Sequence, residues 1–269
     1  MKIGGEIFKS NQVFSMTPFQ RSIFLSFCTI VISGVISGCT NPQSPDDIIS
    51  NPVVSEIANS ETVIKTATSK PIEAMKIAAF PEQIDPNCRD GRAKIYDECS
   101  DQFELFTQAN LRAKEEGKTV LVSYGGEWCL WCHVFDAYIH GEVDKFTYVY
   151  SDFENDNVHT RTMSERATRD VMQEAYKLRK FVSENFVIAH IDYKRSAKGD
   201  DILAKLGARE HYKGGAPYIF TADANGTYAE QLDLDLIEVT RDGEEDMYLG
   251  YDRVLLLQQL QSMRAAAQS

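Results

Sequence analysis

Short apolar runs alternate with helical repeats from about residue 103 onward. Thr119 to Tyr124 and Phe186 to Tyr193 are β-branched, apolar runs, which are typical of strands buried on both faces of a sheet. Before the first run, apolar and small residues recur at helical spacing, and Gly117 supplies a C-cap. These residues are Phe103, Phe106, Ala109, Asn110 and Ala113. The pattern predicts a helix leading into a central strand.

The C-terminal third continues the alternation of helices and strands. Asp201 to Leu206 is predicted as a short helix, and Asn225-Gly226 joins Tyr218 to Ala222 to an antiparallel strand over Thr227 to Leu234. After a polar loop, Asp242 to Asp246, a last helix is predicted, with Asp252 as its N-cap and one apolar face. That face carries Leu256, Leu260 and Met263.

The segment between His133 and Phe186 is roughly 30 residues longer than one helix and a loop require. We predict an insertion at about 140–183 after the helix that follows Gly126. It contains a strand at Lys145 to Tyr150, an acidic loop, and a helix entered through a capping box of Thr162 and Glu165. That helix has Val171, Ala175, Leu178 and Val182 on one face. The insertion is interpreted either as a lid or client-docking surface or as a solvated excursion.

The N-terminus has the pattern of an export signal. Arg21 precedes an apolar run, Ser22 to Ile36, which suits the h-region of a signal peptide better than a membrane span. The ending Gly38-Cys39 resembles the lipobox of bacterial lipoproteins, which implies cleavage before Cys39 and its acylation. The alternative is an uncleaved anchor. We therefore assign 1–38 to a lipoprotein signal peptide, with Met16 as the expected true start.

Residues 39–86 differ from the rest in composition. Prolines are interspersed with Asn, Ser, Asp and Thr, and no periodicity persists, which is typical of a flexible tether. The folded domain is then expected over 87–269. The whole chain of 269 residues carries a formal net charge of -12, which argues against nucleic acid as a partner.

The stretch Glu127-Trp128-Cys129-Leu130-Trp131-Cys132-His133 carries the candidate chemistry. If a helix starts at Cys129, both sulfurs lie on its first turn, close enough to form a disulfide. The unpaired N–H groups there favour a thiolate, which makes Cys129 the expected nucleophile and Cys132 the resolving thiol. The two tryptophans are interpreted either as core aromatics or as a cover for the sulfurs.

The strand, the Glu127-Trp128-Cys129-x-x-Cys132 motif and the following helix resemble the active-site stretch of the thioredoxin superfamily, in particular its exported bacterial members. The resemblance covers most of 103–263 apart from the insertion. It implies a thioredoxin-like α/β sandwich, with a mixed central sheet and helices on both faces. It further implies a thiol-disulfide oxidoreductase with no organic cofactor and no metal.

The same resemblance assigns a role to Ala216-Pro217. In thioredoxins a cis-proline loop lies against the two cysteines and presents backbone to the substrate chain, and Ala216-Pro217 matches that position. A plain trans turn proline is the alternative. Trp128 and Trp131 are expected to border the same substrate groove.

Four residues depart from the thioredoxin pattern. Leu130-Trp131 replaces the usual Gly-Pro, and His133 replaces a lysine. Ser123 stands where thioredoxins keep a buried carboxylate that deprotonates the resolving thiol. His133 is either a cation that lowers the thiol pKa or simply an exposed side chain.

Cys88 and Cys99 are the remaining cysteines once Cys28 leaves with the signal and Cys39 is acylated. In an oxidising compartment a structural disulfide between them is expected. It would close a loop of about a dozen residues and remove on the order of 3 kcal/mol of unfolded-chain entropy. Two unpaired thiols or half of a metal site are the alternatives.

A rival function comes from another class of protein. Cys129-x-x-Cys132-His133 also satisfies the motif for c-type haem attachment, which would make the protein an electron carrier. A metal-carrying module is a third possibility. The favoured interpretation remains a redox protein that acts on protein thiols and disulfides and is regenerated by a redox partner. We expect it to be lipid-anchored in the bacterial cell envelope and to face the periplasm, with the outer membrane favoured over the inner.

Overall fold

Two adjacent parallel strands, β2 (Thr119–Gly125) and β5 (Phe186–Asp192), form the centre of the main sheet. Every residue of both strands is buried, as their largely apolar sequences predict. Their register runs from Thr119 opposite Phe186 to Gly125 opposite Asp192. The carboxyl ends of the two strands therefore lie side by side.

The sheet has five strands in the order β1-β5-β2-β6-β7 within the computed structural model, which describes residues 75–152, 154–241 and 248–269. β1 (Ala78–Phe80) is parallel to β5. β6 (Tyr218–Ala222) is antiparallel to β2, and β7 (Tyr228–Gln231) is antiparallel to β6. The prediction of a mixed α/β sheet is confirmed, and so is the hairpin around Asn225-Gly226.

One face of the sheet is covered by α1 (Gln102–Glu116) and the short α4 (Ile202–Lys205). Asp101 caps the start of α1 through the N–H of Phe103, and Gly117 ends the helix with a left-handed φ of 66°. A residue with a Cβ is disfavoured in that conformation, which explains the glycine. Both helices were predicted from the sequence.

The opposite face is covered by α2 (Leu130–Ile139), α3 (Arg169–Asn185) and α5 (Arg253–Ala267). Asp252 caps α5 by accepting the N–H groups of Val254 and Leu255. The predicted apolar face of α5 is buried: Leu256, Leu260 and Met263 are at most 1% exposed. Helices on both faces of the sheet complete the expected layers.

The predicted insertion contains a second sheet as well as a helix. β3 (Lys145–Ser151) was predicted, but its partner β4 (Val158–Ser164) was not. The capping box of Thr162 and Glu165 is wrong, because Thr162 lies inside β4. The side chain that caps α3 is Thr168, which accepts the N–H of Val171.

A further two-stranded sheet was also missed. β8 (Glu238–Arg241) pairs with β9 (Tyr248–Tyr251). The predicted polar loop between them lies outside the described residues. These strands have four residues each, which is too short for a reliable periodic signal in the sequence.

The predicted tether ends earlier than expected, because Ala78–Phe80, assigned to it, is strand β1. The predicted signal peptide, Cys39 and the predicted tether up to residue 74 lie outside the described residues. Within the part of the chain that the structure describes, no helix combines the length and the apolar character needed to cross a membrane.

Candidate functional site

The Cys129–Cys132 pair lies at the carboxyl end of β2. After β2 the chain turns through Gly126, and Cys129 is the N-cap of α2. The predicted strand-to-helix transition at the motif is therefore confirmed. Loops at the carboxyl ends of parallel strands are common sites of chemistry because adjacent strands deliver their following residues to one edge.

The two sulfurs form a disulfide with an S–S distance of 2.18 Å and a Cα–Cα distance of 5.2 Å. Cys129 Sγ also accepts the backbone N–H of Cys132 at 3.2 Å. Cys129 is 5% exposed and Cys132 is 1% exposed, so Cys129 is the more accessible sulfur. An N–H donor and the positive end of α2 would both stabilise a thiolate at Cys129 once the disulfide is reduced.

Both tryptophans of the motif are half-buried beside the disulfide. The ring of Trp131 packs on Tyr251 at 5.3 Å, whereas Trp128 packs edge-on against Tyr193 at 5.6 Å. Lys194 Nζ lies 4.7 Å from the centre of the Trp128 ring, which is a cation-π distance. The two rings thus flank the sulfurs and join the site to β9 and to the loop after β5.

The peptide bond between Ala216 and Pro217 is cis, as the sequence predicted. Ala216 packs against the cluster formed by Cys129, Cys132 and Tyr96. Pro217 is buried and leads directly into β6. The structure therefore brings the proline loop and the two cysteines together.

Glu127 is a buried carboxylate, only 2% exposed, that the sequence did not single out. Its Oε1 accepts the backbone N–H groups of Lys94 at 2.6 Å, Tyr96 at 2.7 Å, and Ile95. Three donors to one oxygen compensate the cost of burying the charge. A glutamate inside an otherwise apolar motif was the signal that could have revealed it.

His133 is buried rather than exposed, so the simple exposed alternative is wrong. Its Nε2 lies 2.9 Å from the backbone oxygen of Glu127 and 3.6 Å from Glu127 Oε2. His133 therefore fixes the segment that precedes Cys129. It is a neighbour of the Glu127 carboxylate and of the Tyr148 ring, whose centroid is 6.3 Å from its own.

Cys88 and Cys99 form the expected second disulfide, with an S–S distance of 2.09 Å. We call residues 88–99 the bridged loop. The Asp97 carboxylate accepts the N–H groups of Cys99 and of Ser100, the residue that follows the loop. Among the described residues, Cys88, Asp97 and Cys99 are the one group placed to supply three metal ligands, but their sulfurs are bonded to each other.

The bridged loop is part of the candidate site, and its disulfide is not merely a structural cross-link distant from Cys129 and Cys132. It supplies Ile95 and Tyr96 to the cluster around the cysteines, and Tyr96 is fully buried. A Cβ on Gly125 would overlap Cys132 Sγ and lie 3.3 Å from the Tyr96 hydroxyl. Only a residue without a side chain fits between that sulfur and that hydroxyl.

Ion pairs hold the bridged loop against the turn between β3 and β4. Arg89 and Arg195 each place a guanidinium nitrogen 2.6 Å from Asp156 Oδ1. The same arginines lie 3.0 and 3.2 Å from the Glu98 carboxylate. Burial raises the pKa of Glu98 to about 6 against the opposing charge of Arg195.

Asp192 lies at the end of β5, beside the turn that leads from β2 to Cys129. Its Oδ1 accepts backbone N–H groups from Lys194, Arg195 and Ser196, at distances between 2.7 and 3.2 Å. Burial nonetheless raises the pKa of this carboxyl above its usual range. A Cβ on Gly126 would lie 2.6 Å from Asp192 Oδ2, so the turn after β2 packs directly on this carboxylate.

No family model, no curated protein and no solved structure matches this chain.

Proposed function

We propose that this protein is an exported, membrane-tethered thiol-disulfide oxidoreductase of the thioredoxin superfamily that acts on protein cysteines. The observation that carries the proposal is the Cys129–Cys132 disulfide with Cys129 as the N-cap of α2. A disulfide within one helical turn is a two-electron redox couple. The position of Cys129 favours the thiolate that thiol-disulfide exchange requires.

In the reductive direction the reaction uses both sulfurs in turn. The Cys129 thiolate attacks one sulfur of a client disulfide, which breaks that bond and releases the other client sulfur as a thiolate. Cys132 then attacks Cys129 Sγ of the mixed disulfide, which restores Cys129–Cys132 and releases the second client sulfur. The client gains two electrons and two protons, and the protein loses them. Oxidation of a client dithiol is the reverse sequence.

The surroundings of the sulfurs support a protein client. The cis Ala216–Pro217 bond and the two tryptophans border the disulfide. A cleft of about 420 Å³ adjoins Pro217 and is lined by Gly214, Tyr218 and Gln231 among others. We propose that an extended client segment lies along this border, with Trp128, Trp131, Ala216 and Pro217 in contact with it.

Haem attachment is less well supported by the same residues. It requires both sulfurs to face a porphyrin and a histidine to face its iron. Here Cys132 is 1% exposed, and His133 Nε2 is directed at the backbone oxygen of Glu127. A purified protein produced with haem-attachment machinery is expected to show no Soret band.

A trapping experiment tests the proposed reaction. Cys132→Ala should accumulate mixed disulfides with exported cysteine-containing proteins, because the resolving thiol is missing. Cys129→Ala should trap none, since the remaining Cys132 is buried. The double variant Cys129→Ala/Cys132→Ala is the control for Cys88 and Cys99. Equal trapping by both single variants, or by neither, would contradict the assignment.

A further inference from the structure

A row of aromatic side chains starts beside the Cys129–Cys132 disulfide and ends next to the loop before β6. Trp128 meets the Tyr193 ring edge-on at 5.6 Å, and Tyr193 stacks on Tyr124 at 4.5 Å. Tyr124 in turn meets the Tyr212 ring edge-on at 5.5 Å. Aromatic pairs in these arrangements attract each other beyond the effect of the area that they bury. The row therefore connects the motif to the loop before β6 across the carboxyl end of β2.

Tyr212 ends the row with a hydrogen bond to residues 213–217, which we call the proline loop. Its hydroxyl donates to the backbone oxygen of Gly215 at 2.9 Å. Its ring contacts Tyr124 and also Tyr218, whose centroid lies 5.2 Å away. Tyr212 is half-buried. Because β2 and β6 each supply a ring that holds Tyr212, its hydroxyl has a fixed place relative to the sheet.

The proline loop has few contacts of its own at its two glycines. Gly214 and Gly215 have positive φ values of 96° and 92°, and both residues are exposed. A Cβ on either glycine would meet nothing within 4 Å. Glycine loses more conformational freedom on folding than any other residue, so two in succession raise the entropic cost of ordering the loop. The hydrogen bond from Tyr212 offsets part of that cost.

The same hydrogen bond sets the direction of the peptide group between Gly215 and Ala216, which is trans. The C=O and the N–H of a trans peptide point in opposite directions, so holding the Gly215 oxygen directs the Ala216 N–H away from Tyr212. No backbone group of the described residues accepts that N–H. Ala216 packs against the cluster that contains both cysteines. An open donor at this place can bind the backbone oxygen of an extended client segment.

We propose that Tyr212 is a positioning residue for peptide clients, which holds Gly215 so that the Ala216 N–H is presented to the backbone of the client segment. This inference rests on the proposed thiol-disulfide exchange and deepens it, because it explains a preference for extended peptides over small disulfides. Tyr212 acts through the loop and not on the sulfurs. The cleft of about 420 Å³ beside Gly214 and Pro217 gives such a segment room.

Two substrates separate the binding of a client backbone from the chemical step. One is an extended peptide whose single cysteine is in a mixed disulfide with a coloured aromatic thiol. The other joins the same aromatic thiol to 2-mercaptoethanol, which has no peptide backbone. In both, the Cys129 thiolate forms a bond to the aliphatic sulfur, the substrate disulfide breaks, and the electron pair leaves on the aromatic sulfur, the better leaving group.

Stopped-flow absorbance of the reduced full-length protein gives the KM and the limiting rate for the peptide, and the second-order rate constant for the small disulfide. Tyr212→Phe removes the hydroxyl and keeps the ring. It should raise the KM for the peptide about fivefold, the effect of one hydrogen bond, and leave the other two quantities unchanged. Tyr176→Phe, at an exposed tyrosine of α3, is the matched control and should change none of them.

Gly215→Ala disturbs the same peptide group independently, because a residue with a Cβ is disfavoured at a φ of 92° although the Cβ would meet no neighbour. It should also raise the KM for the peptide, and its combination with Tyr212→Phe should add little further. Gly215→Ala keeps the test decisive if Tyr212→Phe does not fold.

The proposal would be overturned if Tyr212→Phe left the KM for the peptide unchanged, lowered the limiting rate instead, or changed the reactions of both substrates equally. Fully additive effects in the double variant would overturn it as well. If the unsubstituted protein did not react with the small disulfide, the proposed function itself would be refuted.

Discussion

The backbone N–H of Tyr96 donates a 2.7 Å hydrogen bond to Glu127 Oε1, which ties the bridged loop to the residue two positions before Cys129. The adjacent N–H groups of Lys94 and Ile95 bind the same oxygen. The carboxylate therefore determines where Tyr96 lies relative to the disulfide. Glu127 is thus a structural centre of the site rather than a reacting group.

Replacement of Glu127 tests this dependence. Glu127→Ala leaves three backbone donors without their acceptor and should lower the free energy of unfolding by about 3 kcal/mol, since a hydrogen bond to a charged group contributes roughly 1.5–3 kcal/mol. Glu127→Gln retains an acceptor oxygen and should cost less. Urea denaturation measures both, with the exposed Glu115→Ala as a control expected within about 0.5 kcal/mol of the unsubstituted protein. A loss for Glu127→Ala as small as that of the control would contradict the role of Glu127.

The two disulfides should differ in their ease of reduction. Graded reduction should open Cys129–Cys132 first and leave Cys88–Cys99 closed, because the N-terminus of α2 stabilises the Cys129 thiolate in the reduced form. Alkylation at each step followed by peptide mapping gives the order. Alkylated Cys88 and Cys99 in the absence of reductant, or earlier opening of their bond, is the result that would reject it.

The stability of the protein should depend on pH through His190. Its pKa falls from an ordinary 6.5 to about 4 on folding, so the unfolded chain binds more protons between these values. The contribution of His190 to stability is therefore present above 6.5 and lost as pH falls towards about 4. His190→Asn should flatten the rise in unfolding free energy over this window by up to about 1.4 kcal/mol per pH unit.

A carboxyl with the opposite shift provides the control for this measurement. The pKa of Glu98 rises from 4.5 to about 6, so its contribution is present below 4.5 and lost as pH rises through 6. Glu98→Gln should therefore steepen the rise of stability with pH, whereas His190→Asn flattens it. Asp136, His140 and His133 also face His190 and remain in both variants. The same slope in both variants would contradict the assignment of these shifts.

Cys39, the predicted site of the lipid anchor, lies outside the described residues, and its role can be tested by mutation. Acylation of Cys39 by more than one chain would give stable membrane attachment, whereas a single chain binds only marginally. Cys39→Ser should release the protein to the soluble fraction and remove the mass of the lipid. If the variant stayed membrane-bound with an unchanged mass, the lipoprotein assignment would fail.

The sequence by itself determined the elements that depend on local patterns. The apolar runs of β2 and β5 are buried on both faces, the capping residues Asp252 and Gly117 mark helix ends, and Asn225-Gly226 forms the hairpin turn. The Cys129–Cys132 spacing likewise predicted both the disulfide and its place at the start of α2. In each case the determining interactions join residues close in sequence, so the pattern contains the information.

Only the tertiary structure decided what surrounds the sulfurs. Tyr96, Asp136 and His190 come from three separate segments and carry no periodic or motif signal. Glu127 belongs to the motif, but its hydrogen-bond partners lie in the distant bridged loop. β1 and β4 were missed because a three-residue strand and a largely exposed strand gain their stability from pairing with distant or neighbouring strands. Burial and cross-strand register, which bring these side chains together, arise only when the whole domain packs.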